Sequence, residues 1–485
     1  MRLVQDLRYA CRTLRKSPVF TMVAMLTLAL GIGANSAIFT LIDGVLLRPL
    51  PFPEPDRLVL VWEDTNMFGL KDSPVALANY MDWRAANHVF QQMGALEQPS
   101  YRLTGSGEPM VIRGSIVTAS LFGTLGVQPA LGRAFREDED RPGTAKTVIL
   151  SDGLWRRLFA GDPAAVGNAL QLNDEPFRIV GVMPASFRFP ASDTEIWAPV
   201  GTFYQPGEFT NRGRHNLMVA ARLAPGVPLR RANEEMGAIA KRLEQEYPQT
   251  NRNVGTFVAP MRDHFLGDVG TGLVVLLGAV GFVLLIACVN IANLLLARAT
   301  NRRREVAIRT AIGAGRWQLV RQMLSENLLL AVAGGACGLA LSWGSLRFLE
   351  KLVPSGISGM TALRVDGRVL GFTLAVSLVT GLAFGLVPAF QALRVDLHQV
   401  LKQGGGRGVM GGSRGLQKAL VIAEVALAFV LTVGAGLMIQ TFVRLRGIDM
   451  GFRTENLLTV RAAIPRQSIR TTAGGMHSWM RRSAE

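Results

Sequence analysis

The densest group of ionisable side chains in the sequence lies between Arg298 and Arg321. This stretch, RATNRRREVAIRTAIGAGRWQLVR, contains seven arginines and one acid, Glu305. Glu305 and Arg309 stand four residues apart in the order that supports a helix, and Gly313 then interrupts the pattern. A short basic helix of this kind can dock onto a partner protein, or it can pair with anionic lipid headgroups. The residue pattern alone leaves both interpretations open.

The remaining side chains form no recognisable catalytic set. The nucleotide-binding pattern G-x-x-x-x-G-K-[ST] and the zinc-protease pattern H-E-x-x-H do not occur in the sequence. The five histidines are scattered and have no paired thiols, since the three cysteines are Cys11, Cys288 and Cys337. We therefore predict no catalytic residues, no metal site and no cofactor in this chain. ATP and magnesium would act through a partner protein.

Long apolar segments flank the basic stretch. About 20 apolar residues cross a bilayer core as a helix, and five segments reach this length. The predicted spans are residues 18–47, 269–297, 323–346, 369–392 and 418–442. We therefore predict a polytopic α-helical membrane protein with about five transmembrane helices and a large α+β domain between the first and second helices.

Basic residues concentrate beside the spans. The net charge is +16, and the stretches 1–17, 298–322 and 393–418 together hold 17 basic and 3 acidic residues. Residues 48–268 hold 23 basic and 25 acidic residues. Positive charge next to spans marks the cytoplasmic side of a membrane, and this distribution argues against nucleic acid as a partner.

This asymmetry predicts a multi-pass protein of the inner (plasma) membrane with a cytoplasmic N-terminus. The predicted cytoplasmic segments are 1–17, 298–322 and 393–417, and the predicted external segments are 48–268, 347–368 and 443–485. Within the first segment, Leu3, Leu7, Cys11 and Leu14 share one helical stripe, which predicts an amphipathic helix on the inner membrane surface. A frayed basic terminus is the alternative. The apolar run that follows is too long for a signal peptide.

Residues 48–268 combine strand and helix patterns, which predict an α+β domain with a second subdomain inserted around 116–210. Asn173 and Asp174 suit a turn between strands. The predicted strands include 58–62, 147–150 and 177–182, and the predicted helices include 76–93, 151–160 and 229–246.

Polar side chains within the spans should face other helices, because lipid cannot satisfy them. These residues are Asn35, Asn290, Asn293, Glu326 and Glu424. Static packing contacts and contacts that change as helices move both fit this pattern. A small-residue face for close helix packing is formed by Gly334, Gly335, Gly338 and Gly344.

An internal repeat links the two ends of the chain. FPEPDRLVLV at 52–61 follows the first span, and FRTENLLTV at 452–460 follows the fifth. We therefore predict that the span 418–442 begins a second copy of the unit. Residues 443–485 would then be a truncated stub of a second external domain, disordered towards its end.

Several short segments carry a family resemblance. They are DLRYA at 6–10, KSP at 16–18, GIGAN at 31–35, GRAF at 132–135, WRRLF at 155–159, VGVMP at 180–184 and REVAIRTAIGA at 304–314. The last resembles the cytoplasmic signature of FtsX-like permeases, the membrane subunits of MacB-type ABC systems. The middle three resemble the MacB-type periplasmic core domain. The first three resemble the duplicated, or orphan, permeases of this family, which continue through a second external domain and three more spans.

In this family the basic segment is a coupling helix that contacts the ATPase, and the spans relay motion instead of forming a channel. The resemblance thus implies coupling roles for Arg304, Glu305, Arg309, Ala311, Gly313 and Arg316. It implies a permease subunit that passes the motion of a separate ABC ATPase to a periplasmic domain for export or efflux of a substrate. Implied partners are the ATPase, a homodimer or second permease copy, the lipid bilayer and a periplasmic adaptor.

Two other functions remain open at this point. The chain could be an envelope regulator whose external domain controls an extracytoplasmic hydrolase. It could also be a membrane-anchored enzyme with its site in residues 48–268. The enzyme hypothesis is the weaker one, because no nucleophile and base are recognisable there.

Overall fold

The computed structural model describes residues 2–65, 72–105, 108–267, 269–311, 316–352, 365–393 and 411–447. These residues fall into two compact units. The helical unit comprises Met1–Arg48, Asp268–Val353 and Ala362–Phe452, and Pro49–Gly267 form the body of the α/β unit.

The helices and strands are numbered in chain order. The helices are α1 (Arg2–Arg15), α2 (Pro18–Ile42), α3 (Leu77–Ala86), α4 (Leu121–Leu125), α5 (Asp152–Phe159), α6 (Val200–Phe203), α7 (Leu229–Glu246), α8 (Met261–Leu266), α9 (Val269–Ala311), α10 (Arg316–Leu352), α11 (Gly367–Leu393) and α12 (Gly411–Arg446). The strands are β1 (Leu58–Asp64), β2 (Val75–Ala76), β3 (Phe90–Glu97), β4 (Ser100–Thr104), β5 (Met110–Val117), β6 (Leu131–Gly132), β7 (Thr147–Leu150), β8 (Ala169–Leu172), β9 (Glu175–Val182), β10 (Thr194–Pro199), β11 (His215–Leu223) and β12 (Gly255–Pro260).

Four helices in the described part of the chain are long and apolar enough to cross a membrane. They are Pro18–Leu47, Gly270–Leu295, Val320–Leu346 and Lys418–Arg444. The remaining predicted span, 369–392, is the fourth in chain order and lies in α11, whose apolar stretch Gly367–Ala383 is shorter. These apolar helices agree with a polytopic membrane protein.

The second span continues without a break into the basic segment. Helix α9 runs for 43 residues from Val269 to Ala311, so the separate short helix that we predicted after residue 297 is instead the end of α9. No glycine or proline interrupts residues 282–311, and a helix therefore has no reason to stop there. At 1.5 Å per residue, α9 is roughly 65 Å long, about twice the thickness of a bilayer core.

Helix α1 buries one residue of the predicted stripe, Leu14, and leaves another, Cys11, exposed. Ala10, Thr13 and Leu14 are buried, whereas Cys11 is exposed. Leu14 joins an apolar cluster with Leu330 of α10 and several residues of α2. The apolar side of α1 therefore packs against the helical unit itself, and Cys11 faces away from that contact.

Three of the four glycines predicted to form a packing face lie against neighbouring helices. Gly344 has no heavy atom within 4 Å of the place where its Cβ would stand. The other three pair Gly334 with Leu28, Gly335 with Ser377 and Gly338 with Gly33. Small residues allow this close approach of helices, which stabilises their association in lipid.

The α/β unit contains one mixed sheet of 12 strands in the order β10-β7-β9-β8-β4-β5-β3-β11-β1-β12, with β2 on β11 and β6 on β9. The predicted strands at 58–62, 147–150 and 177–182 are confirmed as β1, β7 and β9. Asn173 and Asp174 form the β8–β9 turn with φ angles of 53° and 67°, a left-handed conformation that these residue types tolerate.

Six of these strands close into a barrel. Strand β10 pairs with β5 as well as with β7, which joins β5, β4, β8, β9, β7 and β10 into a ring. Tyr101, Phe177 and Ile196 belong to its buried interior. The subdomain predicted around 116–210 is therefore partly correct: its strands do share a core of their own. However, the ring already begins at Ser100, and the β3–β5 pairing keeps it continuous with the main sheet.

Helices α3 and α7 pack on the other part of the sheet. Helix α7 has the predicted bounds and buries Met236 and Leu243. The predicted helix 76–93 is too long, since α3 ends at Ala86 and β3 begins at Phe90. The cause is Asn87, whose side-chain amide donates to the Trp83 carbonyl at 2.7 Å and accepts from Phe90 N–H at 3.2 Å. Such side-chain bonds compete with helix continuation.

Candidate functional site

Helix α2 and the turn that follows it bury a column of polar side chains within an apolar sequence. Asn35, Ser36, Thr40 and Asp43 are each 5% exposed or less. An apolar surrounding cannot hydrogen-bond such groups, so they need partners within the protein. The partners identify which helices α2 is connected to.

The first connection joins α2 to α9. The Asn35 side-chain amide donates to the Val280 carbonyl on α9 at 2.9 Å and to the Gly31 carbonyl on its own helix at 2.9 Å. Because the bond to Val280 reaches a backbone carbonyl of another helix, Asn35 is sensitive to the relative position of α2 and α9.

The second connection joins α2 to α11. Ser36 Oγ and Thr373 Oγ1 lie 2.8 Å apart. Near this hydroxyl pair, the rings of Phe39 and Phe372 stack with centroids 4.0 Å apart. Neither contact was predicted from the sequence.

The third connection is a network of four charged side chains at the end of α2. Asp43 begins a π-helical turn, Asp43–Leu47, and its side chain is 1% exposed. Arg48 Nε lies 2.9 Å from the Asp43 carboxylate, and Arg368 of α11 lies 3.4 Å from its other oxygen. Arg48 also contacts Asp366 at 2.7 Å. A buried carboxylate is costly unless it is paired in this way.

Asp366 also starts α11. Its carboxylate accepts from the backbone N–H groups of Arg368 at 3.0 Å and Val369 at 3.2 Å, which satisfies groups that a helix N-terminus leaves unpaired. The bond from Val369 lowers the pKa of the Asp366 carboxyl, and the positive charges of Arg48 and Arg368 act in the same direction. Asp366 is therefore ionised and holds Arg48 beside the first turn of α11.

The predictions from the sequence did not include this network. Asp43 is visible as an acid at the edge of the first span, but its partners were not predicted. A signal was present: Asp366 and Arg368 are charges directly before another span. Pairing them with a residue more than 300 positions away required the packing of α2 against α11.

The other polar residues predicted within the spans are not gathered into one site. Asn290 and Asn293 are half-buried on α9, Glu326 is 7% exposed on α10, and Glu424 is half-buried on α12. Asn35 bonds to another helix through the Val280 carbonyl on α9. The role of the other four in interhelical contacts stays a prediction.

The residues with predicted coupling roles lie at the end of α9 and the start of α10. Arg304, Glu305, Arg309 and Ala311 occupy the last turns of α9, and Arg316 begins α10. Gly313 lies outside the described residues. The helical backbone of 304–311 agrees with the predicted helix, and the coupling roles stay predictions.

In the α/β unit, two of the family-like segments meet at one close backbone contact. Gly132 has φ +76°, and a Cβ there would lie 2.2 Å from the Val180 carbonyl oxygen. A Cβ on Gly181 would lie 2.7 Å from the Arg133 carbonyl oxygen. The GRAF and VGVMP segments therefore need glycine at this point, and their role is structural.

A buried acid–histidine pair lies in the main part of the same sheet. Glu63, fully buried on β1, bonds to His215 on β11 and accepts from Asn79 at 2.7 Å. The bond to Glu63 raises the pKa of His215. Among the described residues, His215 has no assigned hydrogen bond to a serine hydroxyl or a cysteine thiol. The pair is therefore a pH-sensitive link between β1 and β11, and it is not a complete nucleophile–base set.

The barrel carries one open groove of about 400 Å³ on its outer surface. It lies among the start of β5, the start of α5 and the loop after β9. The charged residues along it are Arg113, Asp152, Arg188, Asp193 and Glu195. Four of them are already held in ion pairs, including Arg113 with Asp193 at 3.0 Å, which leaves the groove without a distinct chemical preference.

The apolar helices of the helical unit are typical of a polytopic membrane protein, and the α/β unit is a second compact domain. The family model described as MacB-like periplasmic core domain matches residues 21–239, and the one described as FtsX-like permease C-terminal matches residues 277–397. The chain therefore carries a MacB-like periplasmic core domain and an FtsX-like permease domain, the two domains of an ABC transporter permease of the MacB type.

Its relatives include MacB proteins from several bacteria. The macrolide export ATP-binding/permease protein MacB of Chromobacterium violaceum is 28% identical over 286 residues, which are 58% of this chain and 42% of that protein. The MacB of Bdellovibrio bacteriovorus is 24% identical over 424 residues, 82% of this chain and 62% of that protein. The periplasmic region of MacB from Actinobacillus actinomycetemcomitans matches with TM-score 0.33 at 15% identity, over 48% of this chain and 97% of that one. The chain thus spans less than two thirds of the length of the two full MacB proteins.

Proposed function

We propose that this chain is the permease subunit of a MacB-type system in which a separate ABC ATPase pushes on residues 304–316. The helices pass this motion to residues 48–268, which expel a substrate. The N-terminus and the basic segment are cytoplasmic, and residues 48–268 are extracytoplasmic. The system works with two permease copies, and a periplasmic adaptor is a further partner.

The continuity of α9 carries this proposal. The residues with predicted coupling roles, 304–311, belong to the same 43-residue helix as the second span. A helix without an internal hinge moves as a rod, and kinks require a cause such as proline. A push at Ala311 therefore displaces Val269, and in the chain this residue follows the α/β unit directly.

The polar column of α2 supports a motion in which α2, α9 and α11 can pack in more than one stable arrangement. Its contacts are single hydrogen bonds and ion pairs to α9 and α11, such as Asn35 to Val280 and Arg368 to Asp43. Polar contacts of this kind can exchange partners, whereas interlocked apolar side chains cannot shift gradually. The charge network at Asp43 would then act as a latch at the end of the first span.

Co-purification tests the coupling. A tagged chain is isolated from its native host, and ABC ATPases in the preparation are identified by mass spectrometry. We expect an ATPase with the unchanged chain and at least a tenfold lower yield after Glu305→Ala with Arg309→Ala. A chain that never recovers an ATPase contradicts the proposal.

The matched control uses an acid–base pair of the same spacing on another helix. Arg230 and Glu234 form an exposed pair on α7, and replacing both with alanine should leave ATPase recovery unchanged. Because the relatives are named for macrolide export, ATP-dependent macrolide efflux from reconstituted vesicles is the first transport assay. Intact ATPase recovery without efflux of any substrate would favour the envelope-regulator alternative.

A further inference from the structure

Helix α1 has two faces with different environments. Its buried face, formed by Ala10, Thr13 and Leu14, lies against α2 and α10. An amphipathic helix that binds a membrane by insertion needs its apolar face free for lipid. Around Ala10 and Leu14 this face is occupied by the helical unit, so this part of α1 is not free to insert into a bilayer.

The opposite face of α1 is strongly basic. Arg8, Arg12, Arg15 and Lys16 are exposed, and their spacing of three or four residues places them along one side. Residues 8–17 contain no acid. Within the described part of the chain, none of the four cations has an assigned ion pair. Like charges held this close repel one another unless anions lie beside them.

The position of this basic face points to lipid as the source of those anions. Helix α2 starts two residues after Lys16, and its exposed apolar residues form one stripe: Val19, Met22, Val23, Leu26 and Leu30. A stripe of this kind on a spanning helix faces lipid acyl chains. The cations precede its first residue, so they lie at the depth of the phospholipid headgroups.

We propose that the exposed face of α1 binds the headgroups of anionic phospholipids and enriches them around this protein. Guanidinium groups pair with phosphate through two N–H donors. Each cation near an anionic membrane surface strengthens association roughly fivefold. The proposal uses the proposed function only in taking residues 18–47 as a membrane span.

Energy transfer to an exposed reporter tests the proposal in the full chain without any ATPase. Cys337 is replaced by serine, Cys288 is buried, and a fluorophore is attached to Cys11 on the basic face. The protein is reconstituted in phosphatidylcholine vesicles that contain a minor fraction of headgroup-labelled phosphatidylglycerol. We expect at least fivefold more transfer than with the same fraction of labelled phosphatidylcholine, and a decrease of this excess as salt is added.

The decisive variant replaces Arg8, Arg12, Arg15 and Lys16 with glutamine, which should remove the excess transfer. The matched control replaces Arg230, Arg231, Lys241 and Arg242 on the exposed side of α7, the same three arginines and one lysine, and should keep it. A variant with Arg8→Lys, Arg12→Lys and Arg15→Lys preserves the charge and should keep the excess transfer. Its result separates the loss of positive charge from the effect of substitution at these positions. The proposal is wrong if the excess transfer persists in the glutamine variant, or if the α7 control loses it to the same extent. The basic face of α1 would then have another partner, such as an acidic protein surface.

Discussion

Gly33 of α2 and Gly338 of α10 meet backbone to backbone. A Cβ on Gly33 would lie 2.8 Å from the Gly338 carbonyl oxygen, and a Cβ on Gly338 would lie 2.8 Å from the Gly33 nitrogen. The hydrophobic effect does not drive helices together within a bilayer, so close packing of this kind provides much of the stability of a helix pair. The contact holds α2 and α10 together a short distance before the polar column at Asn35.

Alanine at either glycine should destabilise the helical unit. Gly33→Ala and Gly338→Ala place a methyl group against backbone atoms that cannot rotate away, and overpacking of this kind costs about 1–3 kcal/mol. Thermal unfolding in detergent should show a lower Tm for both variants. Gly344→Ala on the same helix is the control, because its Cβ would have no neighbour within 4 Å. Equal Tm values for the changes at 338 and 344 would contradict the packing argument.

Neutralising Asp43 should weaken the end of the first span. Asp43→Asn preserves the shape but leaves Arg48 and Arg368 without their shared carboxylate. Breaking a fully buried pair costs about 3–5 kcal/mol, and the loss here should be smaller because both arginines are partly exposed. A double-mutant cycle with Arg48→Gln should reveal a coupling energy between the two positions. Asp174→Asn serves as the comparison, since its pair with Arg102 is exposed on both sides and should contribute less than ~1 kcal/mol.

The Glu63–His215 pair should make the α/β unit more stable in mild acid. The folded pKa of His215 is raised above the usual value near 6.5, so its contribution is complete below about pH 6.5 and is lost as the pH rises through the folded pKa. Hydrogen exchange of β1 and β11 in the full chain should therefore accelerate above that range, beyond the intrinsic effect of pH. In His215→Gln the additional acceleration should be absent, and its persistence would assign the effect to another group.

A break in α9 should separate ATP hydrolysis from transport. Ala297→Pro interrupts the helix between the second span and residues 304–311, because proline removes a backbone hydrogen bond and clashes with the preceding turn, at a cost of ~3 kcal/mol. We expect the ATPase to be recovered with this variant while substrate efflux falls at least tenfold. Gly270→Pro lies in the first turn of α9, where proline is tolerated, and should retain efflux. Normal efflux with Ala297→Pro would show that α9 is not the relay.

The apolar spans and the local strands were predictable because their signals are short-range. A run of about 20 apolar residues defines a span without any knowledge of its neighbours. The runs at 147–150 and 177–182 likewise define strands β7 and β9. The bounds of α3 were less accessible, because Asn87 ends this helix through two side-chain bonds that periodicity does not display.

Contacts between distant segments were beyond the reach of such patterns. The closure of the barrel depends on β5 pairing with β10. The residue types of these two strands do not predict that they pair. Tertiary packing also decided where the buried face of α1 ends: Leu14 of the predicted stripe is buried together with Ala10, whereas Cys11 of the same stripe is exposed.

The sequence by itself determined that this chain has apolar spans, a basic segment beside them and a cysteine-free α+β domain, since composition and charge act along the chain. Only the tertiary structure decided what the buried polar groups of α2 do. Asp43 and Arg368 are 325 positions apart, and a buried carboxylate is stable only where a cation can reach it. That condition is met by helix packing and cannot be read from either residue alone.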